Sequence, residues 1–267
     1  MRRRVAAATL ALAAQAALAG SPCEQVMASN DHALRAMQMA ATTRGALDRI
    51  DDEVVLIARM GQDLSGYRLT YSHAAFAVRE HPAGAWSVVH KLNTCGTATS
   101  ALYDEGLINF FSDSPFRYQA GIWRLAPQVQ SRLKTALLGK QASAVFEPSY
   151  SLVAYPFATR YQNSNGWVLE MLAQAFAPEG EAATRATAQT WLEAHGYRAS
   201  ELALGTMTRL GARVSKASIA FDDHPPALRW KGRIQAVTVD SIVNWLRTLP
   251  DGCREMGCPE LQVLLPK

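Results

Sequence analysis

The chain has 267 residues, 49% of them hydrophobic, with 27 Lys and Arg against 23 Asp and Glu, which excludes a disordered chain and leaves room for one sizeable core. Three of the bases, Arg2, Arg3 and Arg4, stand in a segment that reads as a leader, and without them the two signs nearly balance. That balance gives no electrostatic basis for nucleic acid or an anionic membrane as a partner.

Arg2 to Arg4, the apolar run from Val5 to Ala17 and the small-x-small triplet Ala17-Leu18-Ala19 predict a signal peptide over residues 1–19, cleaved after Ala19. The expected destination is the periplasm. The run is well short of the roughly 20 apolar residues of a spanning helix, so no transmembrane anchor is expected in the mature form. A lipoprotein would need Cys23 at the cleavage point, and Gly20, Ser21 and Pro22 intervene.

After a polar lead-in, Leu34, Met37, Ala40 and Ala41 recur at helical spacing and predict a helix over 31–49, with Asp31 as its cap. Val54 to Ala58 reads as a buried strand. Tyr71 to Val78 and Trp86 to Leu92 read as a hairpin turning at His81-Pro82-Ala83-Gly84. Residues 97–111 read as a short helix or an ordered loop, and 121–125 as a strand. Pro127 opens a helix that Gly139 closes. A strand over 150–155 is cut off by Pro156, and a helix over 165–176 stops before Pro178. An amphipathic helix over 180–195 ends at Gly196. Strands near 213–221 and 233–239 and a helix over 240–249 follow. The sum is α+β, a mostly antiparallel sheet with flanking helices. Residues 20–267 are expected to form a single domain, with a C-terminal extension from about 213.

An even count of four cysteines suits an oxidising compartment. Cys253 and Cys258 flank a four-residue loop that a disulfide would close. Cys23 and Cys95 then either pair with each other or leave Cys95 as a free thiol. The six histidines (His32, His73, His81, His90, His195, His224) show no metal-ligand spacing, so no metal and no cofactor is expected.

Three segments carry polar groups where burial without purpose is costly. They are the runs from Tyr71 to Val78, from Val88 to Gly96 and from Tyr161 to Trp167. One hairpin register puts His73 beside His90, and a slip of one residue puts it beside Asn93. Either neighbour would fix the imidazole tautomer. Ser164 falls at a helix N-terminus, where free N–H groups favour a developing anion. A nucleophile on a helix start, a His on a strand and a polar orienter on the next strand form a papain-like layout. Against this, Ser164 and Asn163 are ordinary capping residues, and His73 has a competing reading as a core histidine bonded to backbone.

Tyr71-Ser72-His73-Ala74-Ala75-Phe76, Leu92-Asn93-Thr94-Cys95-Gly96-Thr97, Asn109-Phe110-Phe111 and the run from Tyr161 to Glu170 resemble the bacterial family called domain of unknown function 2145, over nearly all of the mature chain. More distantly, the order of His strand, polar strand and helix is similar to circularly permuted papain-like (NlpC-like) hydrolases. Those enzymes carry a Ser-His strand motif like Ser72-His73 and a nucleophilic Cys on a later helix, often after Asn. Here Asn163 is present and Ser164 stands where Cys would be.

Two functions follow as expectations. In the first, the protein is an amide or ester hydrolase. His73 is the base, His90 or Asn93 the orienter and Ser164 or Cys95 the nucleophile, while Tyr71, Ser72, Asn163, Asn165 and Trp167 contact substrate. The resemblance implies a cell-envelope peptide or acyl substrate. In the second, the same cleft on an inactive scaffold binds a peptide or envelope partner.

Overall fold

The computed structural model describes residues 29–95, 97–113, 115–203, 218–230 and 233–266. Its centre is a six-stranded, wholly antiparallel sheet of β1 (Val54–Arg59), β2 (His73–His81), β3 (Gly84–Asn93), β4 (Ser100–Glu105), β5 (Gln119–Arg124) and β8 (Glu260–Leu264). The spatial order is β4-β3-β2-β1-β5-β8. A separate ribbon pairs β6 (Ser200–Ala203) with β7 (Arg233–Ala236).

β1 is buried along its whole length, because helices cover both faces of the sheet. Alternation then sorts its side chains. Val55, Ile57, Ala75 and Ala77 pack against α1 (Asn30–Leu47) and α2 (Leu107–Ser112). Leu56, Ala58, Ala74 and Phe76 pack on the other face. There they meet α3 (Pro127–Leu138), α5 (Ser164–Phe176), α6 (Arg185–Ala194) and α8 (Val239–Leu246). Among the described residues two further short helices are α4 (Gln141–Ala144) and α7 (Pro226–Trp230).

The hairpin turns at Pro82-Ala83, between His81 and Gly84 as its sequence suggests. Helix α3 runs from Pro127 to Leu138 with Gly139 as its C-cap. Ser29 caps α1, and Asp31, the expected cap, lies in its first turn. Other expectations differ from what is found. Residues 100–105 form strand β4, not a helix, because the free edge of β3 offers backbone partners from Val88 to Asn93. Residues 150–155 form no strand. Leu152 N–H donates to the Ser218 carbonyl, and a turn closes from Ser151 to Ala154. The strand expected near 213–221 falls largely outside the described residues, and 218–221 is not a strand. The C-terminal strand β8, unanticipated, joins the main sheet through β5.

Candidate functional site

His73 opens β2 opposite Arg59. The hairpin sets Phe76 against Val89 and Ala77 against Val88, which carries Ala75 opposite His90 and puts His73 and His90 on one face. His73 Nε2 lies 3.0 Å from His90 Nδ1, and His90 Nε2 lies 3.3 Å from a Glu105 carboxylate oxygen. A carboxylate only accepts. With one proton on each ring, His90 Nε2 therefore donates to Glu105, His90 Nδ1 accepts, and His73 Nε2 donates. In that arrangement His73 Nδ1 is the nitrogen without a proton.

Burial, then the neighbouring Arg59 guanidinium, then His90 hold the His73 pKa well below its ordinary 6.5. Arg59 is itself buried, donating to the Phe110 carbonyl and paired with Asp113. The two imidazoles pack on the Phe110 ring of α2, with centroids at 6.0 Å and 5.6 Å.

Ser164 is the first residue of α5, and that helix covers the opposite face, where the Phe76 ring meets Trp167. The sheet thus lies between the His73 ring and α5, and no hydrogen bond joins His73 to Ser164. The side chain of Ser164 instead lies near the hydroxyl of Tyr150, which is buried. Asn93 shares the α5 face by alternation and does not orient His73; His90 holds that place. Cys95 is disulfide-bonded, which removes its thiol from the candidate nucleophiles. Cys23, its expected partner, lies outside the described residues. Cys253 and Cys258 are joined as expected, closing their loop beside β5.

The residues expected to contact substrate have structural partners. Asn163 caps α5 by accepting from Gly166 N–H at 2.6 Å, and its amide donates to the Leu152 and Val237 carbonyls. Asn165 ties α5 to β2, accepting from Ala74 N–H at 2.9 Å. Ser72 accepts from Gly61 N–H, and Tyr71 donates to Glu260 and accepts from Gln119. Trp167 is fully buried, its indole N–H on the Ala142 carbonyl.

Around these residues lies a half-enclosed cavity of about 100 Å³. Its walls come from the 64–73 segment, Tyr150 to Val153, the α5 start and the β6–β7 ribbon. Trp167 does not line it; Tyr71, Ser72, His73 and residues 163–165 do. None of the described lining residues is Asp, Glu, Lys or Arg. The capping bond to Gly166 leaves the N–H groups of Ser164 and Asn165, the first two of the helix, without an intrahelical partner.

A polar cluster on the α5 face went unread in the sequence. Lys91, fully buried, donates to the Glu147 carbonyl and to the Gln162 carbonyl and side chain at 2.7–2.9 Å. Burial, ahead of the Arg185 cation, presses its pKa down, while three acceptors match the three N–H bonds of an ammonium. Beyond it Glu170 pairs with Arg185 at 2.9 Å and accepts from Gln162 and Gln189. The signal was a lysine in phase with Val89, on the inward face of an apolar strand.

The family model described as an uncharacterized protein conserved in bacteria, DUF2145, matches residues 46–246. The chain belongs to that family. The match spans the sheet up to β5, helix α5 and the whole cavity wall, so the architecture described here is that of a DUF2145 member. No curated protein and no solved structure matches the chain.

Proposed function

We propose that this DUF2145 protein is an exported binding protein, whose cavity beside the α5 start holds part of a peptide or another cell-envelope partner without cleaving it. One observation carries the reading: His73 is bonded to His90 on one face of the sheet, while Ser164 starts a helix on the other. Serine hydrolysis needs a base within hydrogen-bond reach of the hydroxyl. It also needs that base to carry the proton in the transition state. Burial and Arg59 oppose the imidazolium of His73, and Cys95 offers no thiolate. The fold then serves as a binding scaffold, and fold alone does not bring an activity with it.

Export is supported by the basic and apolar start of the chain and by the Cys253–Cys258 disulfide. Sequencing the mature N-terminus from a periplasmic fraction is expected to begin at Gly20.

The binding reading is tested by incubating the protein with a fluorophosphonate and recording its intact mass. No adduct is expected. An adduct that disappears in Ser164→Ala would establish an activated serine and overturn the reading.

A further inference from the structure

Lys91, Gln162 and Glu170 form one dry cluster of reactive side chains, and the binding reading uses none of them. Lys91 is 0% exposed, Gln162 1% and Glu170 3%. Lys91 Nζ lies 2.8 Å from the side-chain carbonyl oxygen of Gln162, Oε1. That oxygen also accepts from the Glu147 backbone N–H at 3.1 Å. The amide nitrogen of Gln162, Nε2, donates to a Glu170 carboxylate oxygen at 2.6 Å and to the Val145 carbonyl at 2.7 Å. The rings of Phe146 and Tyr150 stand 5.3 Å and 5.8 Å from Nζ. The cluster thus brings together an amine, an amide carbonyl, a donor to its oxygen and a carboxyl beside its nitrogen.

Each contact has a part in acyl transfer. A lysine attacks a carbonyl only as the free amine. Burial lowers the Lys91 pKa from 10.5 to about 6. Above that pH the amine prevails, and one of its three acceptors faces a lone pair in place of a proton. The Glu147 N–H is placed to hold negative charge that develops on Oε1. Burial pushes the Glu170 carboxyl up, and Arg185 opposes it, which suits a group that takes a proton and hands it on. The folded chain holds the partners in contact, so no encounter has to be made. Their burial keeps water from competing for the carbonyl.

We propose that Lys91 and Gln162 join in an isopeptide bond, made by the folded chain itself, which straps β3 to the segment entering α5. Lys91 Nζ adds to Gln162 Cδ, and the carbonyl π electrons move onto Oε1. Both nitrogens are then bound to Cδ, beside Glu170. The Glu170 carboxylate takes the proton that Nζ loses and delivers it to Nε2. The Cδ–Nε2 bond breaks, the carbonyl re-forms and ammonia leaves. One amine and one primary amide become one secondary amide and one ammonia, and nothing is oxidised or reduced.

The test is the intact mass of the mature protein, held at pH 8, then reduced and denatured. The expected mass lies below the sequence mass by one ammonia, about 17 Da. A tryptic digest is expected to contain one branched peptide that joins the segments around Lys91 and Gln162. Lys91→Arg is expected to keep the full mass. Glu170→Gln, checked for folding by circular dichroism, is expected to keep it as well. Full mass in the wild-type protein overturns the proposal, and this readout needs no variant to fold. A loss of ammonia that the digest places elsewhere, as in a succinimide at Asn165-Gly166, also overturns it. A joined peptide in Glu170→Gln overturns the proton relay.

Discussion

His73 Nε2 lies 3.0 Å from His90 Nδ1 across the β2–β3 hairpin, and that contact decides what His73 can do. It orients the ring, fixes its tautomer and turns it away from α5. His90 fills the place a triad's third member would fill, yet among the described residues no serine hydroxyl and no thiol hydrogen-bonds to His73.

The buried, neutral His73 makes stability depend on pH. Unfolded, it has its ordinary pKa of 6.5; folded, burial and Arg59 hold it well below. As pH falls through 6.5 the unfolded chain takes up a proton that the folded chain does not. Stability from this group is complete above 6.5 and declines below it, at up to about 1.4 kcal/mol per pH unit. Urea unfolding at pH 7.5 and 5.5 is expected to show the loss, and His73→Gln to flatten it.

The Glu170–Arg185 pair is nearly removed from water, with side-chain exposures of 4% and 9%. Arg185→Met leaves the Glu170 charge buried and is expected to destabilise by about 3–5 kcal/mol. Adding Glu170→Gln removes the orphaned charge and should recover part of that loss in urea unfolding. A double variant as unstable as Arg185→Met alone would show that Arg185 acts through its carbonyl contacts at Thr159 and Tyr161.

Cys253 and Cys258 are five residues apart, and Leu125 bridges to Cys253 beside β5. Chain-entropy reasoning for so short a loop gives about 2 kcal/mol. Replacing both cysteines by serine is expected to cost that amount and to speed amide exchange in β8, whose chain leads directly from the loop. Unchanged β8 protection would show that the strand is held by its pairing with β5 alone.

The sequence carries the hairpin plainly, since Pro82-Ala83 separates two apolar runs and sets the partners of His73. It carries the start of α5 too, because Asn163 is a strong cap before an apolar helix. It does not say which face of the sheet α5 covers. Periodicity places His73 and His90 together, but the side on which Ser164 arrives depends on the long excursion from 94 to 163. That excursion adds β4 and β5 to the sheet and carries α2 to one face and α3 to the other. β4 was missed because Ser100 to Glu105 lack clean alternation and owe their conformation to the edge of β3. Lys91 was missed because a strand lysine ordinarily faces water, and its three acceptors come from residues 147 and 162, distant in sequence.

The account stands on His73 being neutral and tied through Nε2 to His90, not a base poised for Ser164. Histidine-selective ¹⁵N NMR between pH 5.5 and 8 reads this directly. The expected result is a His73 ring protonated at Nε2 and bare at Nδ1 throughout, unchanged in Ser164→Ala. A His73 that titrates near pH 7, or whose nitrogen shifts move when Ser164 is replaced, would show a coupled serine–histidine pair and contradict the account.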